Sequence, residues 1–175
     1  MSLLSEDTFA FQRGRPEAST AFVLSAPGRL ELKRGHPAAG QTGSTLDRLP
    51  VHLNAAHPDL FPFLTRRDYR IVNAVSKILY LREHQRTEAY LREVREPSNL
   101  ERLQHELKGI AFVVALGERA KLGLAVAGME PGLSGPHPSL QCLNRRYKAD
   151  ATTPQERSAQ RIWQYAQDVL SSGPR

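Results

Sequence analysis

The chain has 175 residues, 40% of them hydrophobic and 24% charged, which is ordinary for a single globular domain able to bury a core. Its lone cysteine, Cys142, excludes an internal disulfide and a four-cysteine metal or iron–sulfur site, and its longest apolar run, "IAFVVALG", is far short of the roughly 20 residues needed to span a bilayer. The excess of 24 Lys and Arg over 18 Asp and Glu leaves a net charge of +6, a modest attraction for polyanions.

The first twenty residues are polar and mixed and read as an irregular arm. They begin with acids and no basic stretch, so no export signal is expected and the chain reads as cytoplasmic and reduced. A single domain is expected over 21–172. It opens with "AFVLSA" (21–26), a short apolar run bounded by Pro27 and Gly28, the pattern of a buried strand. A loop rich in glycine and proline follows, up to Gly43. "TLDRLPVHLNAA" keeps helical spacing through Leu46, Leu49 and Leu53, and Pro50 should end or kink that helix midway.

A second strand is predicted over 69–75, "YRIVNAV", flanked by Arg66, Arg67 and Arg70. "RTEAYLREV" and "SNLERLQHELKG" both carry helical leucine spacing. The second opens on Ser98 and Glu101, an S-x-x-E capping box, and closes on Gly109. "IAFVVALG" (110–117) carries no charge and no alternation, as a strand buried on both faces should. A short helix "ERAKLGLAV" follows, and Thr153, Pro154 and Glu156 cap a final amphipathic helix whose inner side includes Ile162, Ala166, Val169 and Leu170.

Strands alternating with helices predict an α/β fold with a short, mainly parallel central sheet and helices on its faces, a three-layer α/β/α sandwich. Ligands in such folds sit outside the carboxyl ends of the strands. The loop after strand one, Asn73, and "GPHPSLQCLNRR" late in the chain all fall there. A loop rich in glycine at a strand end suits a ligand gripped closely by backbone.

In that order the residues resemble the uracil-DNA glycosylase superfamily. "SAPGRLELKRGHPAAGQTG" (25–43) resembles the G-E-A-P-G-x-x-E-D…G-x-P-F-x-G-x-x-G segment of its iron–sulfur branch. "IVNAV" resembles the strand whose asparagine reads the flipped base, and "VVALG" followed by "HPS" (137–139) resembles the third strand and the late histidine loop. The resemblance covers roughly 21–172. It implies an enzyme that flips a nucleotide out of DNA, cleaves its N-glycosidic bond and leaves an abasic site, acting as a monofunctional glycosylase. DNA is the implied partner; no membrane, cofactor, metal or metal cluster is expected, and the chain is expected to be a monomer.

Carried over residue by residue, Asn73 matches the base-reading asparagine, whose amide offers a donor and an acceptor, although an asparagine can also simply pin a strand end. His137 matches the histidine that donates to the base carbonyl as negative charge gathers there. Pro27 and Gly28 match the turn that presents backbone amides at the pocket floor. Ser139 and Leu140 fall where the family contacts phosphate and wedges the duplex, and Arg145 and Arg146 would meet phosphates, with Lys148 close behind.

The departures carry information too. Ser25 stands where the motif has its acid, and Ala26 stands where other branches keep an Asp or Asn for water. Glu31, the first acid after A-P-G, is then the candidate for handling water, against the alternative of a surface ion pair with Lys33 or Arg34; Asp47 is a weaker second. Ala38 replaces the phenylalanine of G-x-P-F, removing a stacking partner and widening the pocket, while His36 and Gln41 are placed to bind a polar substituent. A bulky modified pyrimidine, such as the glucosylated hydroxymethylcytosine of phage DNA, fits that profile better than uracil and would make the enzyme a defence factor. Three other readings stay open: a uracil or mismatch DNA repair glycosylase, a non-catalytic reader of modified bases on the same fold, and a nucleotide-processing α/β enzyme, although neither G-x-x-x-x-G-K-[ST] nor G-x-G-x-x-G is present.

Overall fold

Phe11–Gln12 (β1), Thr20–Leu24 (β2), Arg70–Asn73 (β3), Phe112–Leu116 (β4) and Leu133–Gly135 (β5) form one sheet in the order β1-β3-β2-β4-β5 in the computed structural model, which describes residues 6–173. Only β1 runs antiparallel, pairing Phe11 with Val72; β2 is parallel to both β3 and β4, and β4 is parallel to β5. The chain is thus α/β with a mixed, mostly parallel sheet. The segment read as an irregular arm contributes the edge strand β1, with Phe11 fully buried; its first five residues lie outside the described part.

Strand alternation explains why the central strands carry no polar face. Phe22, Leu24, Ile71, Val114 and Leu116 point into one apolar cluster, while Ala21, Val23, Val72, Val113 and Ala115 point into another. Helices Leu49–Ala56 (α3) and Pro154–Leu170 (α9) fill the first through Leu49, Leu53, Ile162 and Tyr165. Helices Pro97–Glu106 (α6) and Glu118–Val126 (α7) fill the second through Leu103, Ala120 and Leu124. Phe22 meets the Tyr69 ring edge-on at 5.3 Å, an arrangement that adds about 0.5–1.5 kcal/mol beyond area burial.

Several boundaries differ from the sequence reading, each for a local reason. Within the glycine- and proline-rich loop lies a short helix, Arg29–Arg34 (α1), capped by Gly28 and ended by Gly35 in the left-handed region at φ 73°. Pro50 does not break a helix midway. The chain instead forms Gln41–Leu46 (α2) and then α3, with Pro50 in the first turn of α3, where its missing N–H costs nothing. The S-x-x-E box at Ser98 is not used: Glu96 caps α6 and Ser98 lies inside its first turn, its hydroxyl donating to the Glu96 carboxylate. "RTEAYLREV" yields only the single turn Leu91–Val94 (α5). The Thr153 capping box and the span of α7 match expectation.

Topology places the crevice. From β2 the chain crosses to β3 on one side and later returns to β4 on the other, so the connections diverge between the carboxyl ends of β2 and β4. Ligands in open α/β sheets settle at such a switch point.

Candidate functional site

At the switch point Gly117, directly after β4, has φ +106°, a conformation that side-chain-bearing residues rarely adopt. A Cβ there would lie 3.0 Å from Ser25 Oγ and 3.4 Å from His137 Cβ. Glycine is therefore required twice over, by backbone angle and by crowding. Ser25 and His137 meet across it.

A cavity of about 620 Å³ opens here, within the size range of small-molecule sites. It gathers Ser25, Ala26, Gly28, Glu31, Ala38 and Asn73 from the β2 and β3 ends, and His137, Ser139, Arg145 and Arg146 from the chain after β5. Thus residues spread over more than a hundred positions of sequence converge. Pro27, His36, Gln41 and Leu140 do not line it. Pro27 is buried and its carbonyl accepts from Leu79 N–H; His36 sits 3.0 Å by Nδ1 from the Pro37 carbonyl; Gln41 and Leu140 are exposed.

Asn73 is 1% exposed. Its Nδ2 donates to the Ala10 carbonyl at 3.0 Å, which fixes the amide orientation because a carbonyl can only accept. The side chain therefore does pin a strand edge, and it also borders the cavity. Behind it, Arg102 donates to the Asn73 carbonyl at 2.8 Å and to Asn99 Oδ1 at 2.9 Å, and also pairs with Glu106. Burial pushes Arg102 down and Glu106 up, so desolvation outweighs the mutual attraction at both groups.

Ser25 is 4% exposed, and its Oγ has no hydrogen-bond partner among the described residues. Buried hydroxyls without partners are uncommon and mark either strain or a place for a ligand. His137 lies nearby with its pKa lowered by burial, opposed by the Glu88 and Glu31 carboxylates. A neutral imidazole carries one N–H and can donate without first losing charge.

Glu31 takes a different part from the one its position suggested. Its Oε2 accepts from Gly28 N–H at 3.0 Å and its Oε1 accepts from Ala39 N–H at 2.9 Å. The carboxylate staples the loop rather than pairing with Lys33 or Arg34. It also consumes the Gly28 amide, which was expected to face the pocket floor. Asp47 does not line the cavity; it lies 2.8 Å from the Arg66 guanidinium, which in turn donates to the carbonyl of Ala38, a residue with φ 51°.

The far wall went unseen in the sequence. Tyr80, Thr87 and Glu88 border the cavity from the connection between β3 and α5, joined by Thr42, Gln141 and Cys142. Tyr80 is an aromatic residue bordering the cavity that Ala38 also lines. Glu93 fastens this segment: Arg86 donates to both its oxygens at 2.6 Å, Tyr90 N–H donates at 2.7 Å and Lys77 at 3.0 Å. These bonds, with Arg86 first, hold its pKa down to about 2.

At the rim, Ser139 caps Leu140–Arg146 (α8), its Oγ accepting from Cys142 N–H at 3.3 Å. Arg146 pairs with Asp168 at 3.1 Å, whereas Arg145 is exposed with no ion pair among the described residues. No helix among the described residues is long and apolar enough to cross a membrane, and no three His, Cys, Asp or Glu side chains among them gather as a metal site requires. No protein-family model matches the chain, and no curated protein matches it either.

Proposed function

We propose that this protein is a DNA glycosylase built on a three-layer α/β/α sandwich of the uracil-DNA glycosylase type, which flips a base into the cavity and hydrolyses its N-glycosidic bond. The observation that carries the reading is the convergence of Ser25, Asn73 and His137 on one cavity at the switch point, with Arg145 and Arg146 at its mouth. Loss of the base builds negative charge on its carbonyl oxygens and positive charge on the sugar. Donors fixed beforehand at the leaving base lower that barrier, commonly by a factor of about 10²–10³ per donor. His137 supplies a neutral N–H, Ser25 a hydroxyl without another partner, and Asn73 an amide edge that reads the base. Arg145 and Arg146 meet phosphates.

Water falls to Glu88. Glu31 already holds two backbone amides, while Glu88 borders the same cavity and its carboxylate has, among the described residues, just the 3.8 Å ion pair with Arg119. The base favoured is a bulky pyrimidine such as glucosylated hydroxymethylcytosine of phage DNA, since the cavity has room beyond a plain base. Thr42, Thr87 and Gln141, rather than His36 and Gln41, would bind its polar substituent. Tyr80, which borders the same cavity, would offer a ring for stacking, and uracil is the competing substrate. Duplexes bearing uracil, hypoxanthine or glucosylated hydroxymethylcytosine, scored for abasic sites, test the reading. Release of the glucosylated base with Glu88→Gln inactive is expected; release of uracil alone defeats the base assignment.

A second reading, a non-catalytic reader of modified bases, draws on the engagement of Glu31 with Gly28 and Ala39. It predicts binding of the modified duplex without abasic sites under any condition.

A further inference from the structure

On the other side of α8 from the cavity runs a second, more open groove, between α3, the segment after α8, and α9. Three permanent cations, Arg48, Lys148 and Arg161, line it against one carboxylate, Asp150. Arg48 Nη1 donates to Ser158 Oγ at 3.2 Å and Arg161 Nε donates to the Tyr147 carbonyl at 3.2 Å, so both guanidinia are prepositioned. Among them stands Trp163, the only tryptophan of the chain, 55% exposed. Its position on α9 is fixed, because Ile162 and Tyr165 on the same helix are buried in the core against the sheet.

An exposed indole beside fixed cations is poorly suited to an apolar peptide, which would leave those charges desolvated. It suits a polyanion that also carries flat rings. Single-stranded nucleic acid has both, and is bound elsewhere by aromatic platforms in basic grooves. α8 separates the two sites: Gln141, Cys142 and Arg145 border the cavity, while Asn144 and Tyr147 border the groove. A helix is about 10 Å across, a distance that a few nucleotides of single strand can bridge.

We propose that this groove binds a single-stranded stretch of the DNA strand whose base enters the cavity, with one base stacked on Trp163 and its phosphates met by Arg48, Lys148 and Arg161. This rests on the glycosylase reading for its link to the cavity, but the groove can be tested without it.

Since the chain has one tryptophan, its emission reports this groove alone. Titrating the full chain with an unmodified oligothymidylate of about 12 nucleotides, inside the span of known single-strand sites, should quench it saturably. The midpoint should climb steeply with salt, as counterion release requires. Read by the fluorescence anisotropy of a dye-labelled oligothymidylate, since these variants lack the tryptophan, Trp163→Ala should weaken binding about 5- to 150-fold, the worth of one base–aromatic stack, and Trp163→Phe should restore most of it. Absent quenching, quenching indifferent to salt, or duplex quenching at the same midpoint would each overturn the proposal. Quenching without base release leaves the groove standing and fails the glycosylase; base release without quenching does the reverse.

Discussion

Ser25→Ala separates function from stability. A buried hydroxyl lacking a partner destabilises a fold by about 1–3 kcal/mol relative to one that is satisfied. Ser25 Oγ is in that condition, crowded against Gly117 and His137. Alanine removes the hydroxyl and keeps the Cβ, so the cavity wall changes little and the penalty disappears. At about 2–4 °C per kcal/mol for a chain of this size, the midpoint should rise by about 2–12 °C. If the hydroxyl donates to the leaving base, single-turnover release should nonetheless fall by about 10²-fold. Scanning calorimetry and an abasic-site assay on one preparation read both quantities. A lowered melting temperature would show that the hydroxyl is satisfied in the folded protein. Unchanged release would show that it does not touch the base. Either result refutes the reasoning.

Other consequences follow from the same geometry. Gly117→Ala should lower stability by about 1–3 kcal/mol through its positive φ, and should displace His137 so that release falls more than melting alone explains; equal wild-type activity at low temperature would contradict it. Because Glu93 ionises near pH 2 when folded against 4.5 as its ordinary value, the stability it contributes is complete above pH 4.5 and is lost as pH falls toward 2. Glu93→Gln should flatten that acid limb in urea melts and raise proteolysis around Tyr80 and Glu88, and an unchanged limb would dismiss the link. For His137, held below its ordinary 6.5, the neutral donor persists at pH 6.5, so base release should hold its plateau there and decline only at lower pH; a decline centred above 6.5 would mean that a different group titrates.

What was legible in the sequence follows from signal length. β4 and α9 carry long apolar or capped patterns, and both lie close to where those patterns put them. β1 and β5, at two and three residues, are too short for any periodicity, and α1 buries no residue, so it leaves no apolar stripe to see. The site divides the same way. Asn73 and His137 sit at parallel-strand ends, where the fold class alone directs attention, and they do reach one cavity. His36 and Gln41 were placed by nearness in sequence, which the turn of α1 undoes. Tyr80 and Glu88 come from a connection with little regular structure, held by side-chain bonds to Glu93 that no local pattern encodes. Glu31 shows the remaining limit: an acid that caps its own loop and an acid that faces water have the same letter, and only the backbone geometry separates them.

The most direct measurement is mass spectrometry of the free bases released when the protein is incubated with genomic DNA carrying varied base modifications, beside Asn73→Ala and His137→Ala. A single modified pyrimidine should appear in the soluble fraction with the wild-type chain and vanish with both variants. No free base from any DNA, or equal release by the variants, would contradict the claim that the cavity between β2 and β4 is where a base is cut from its sugar.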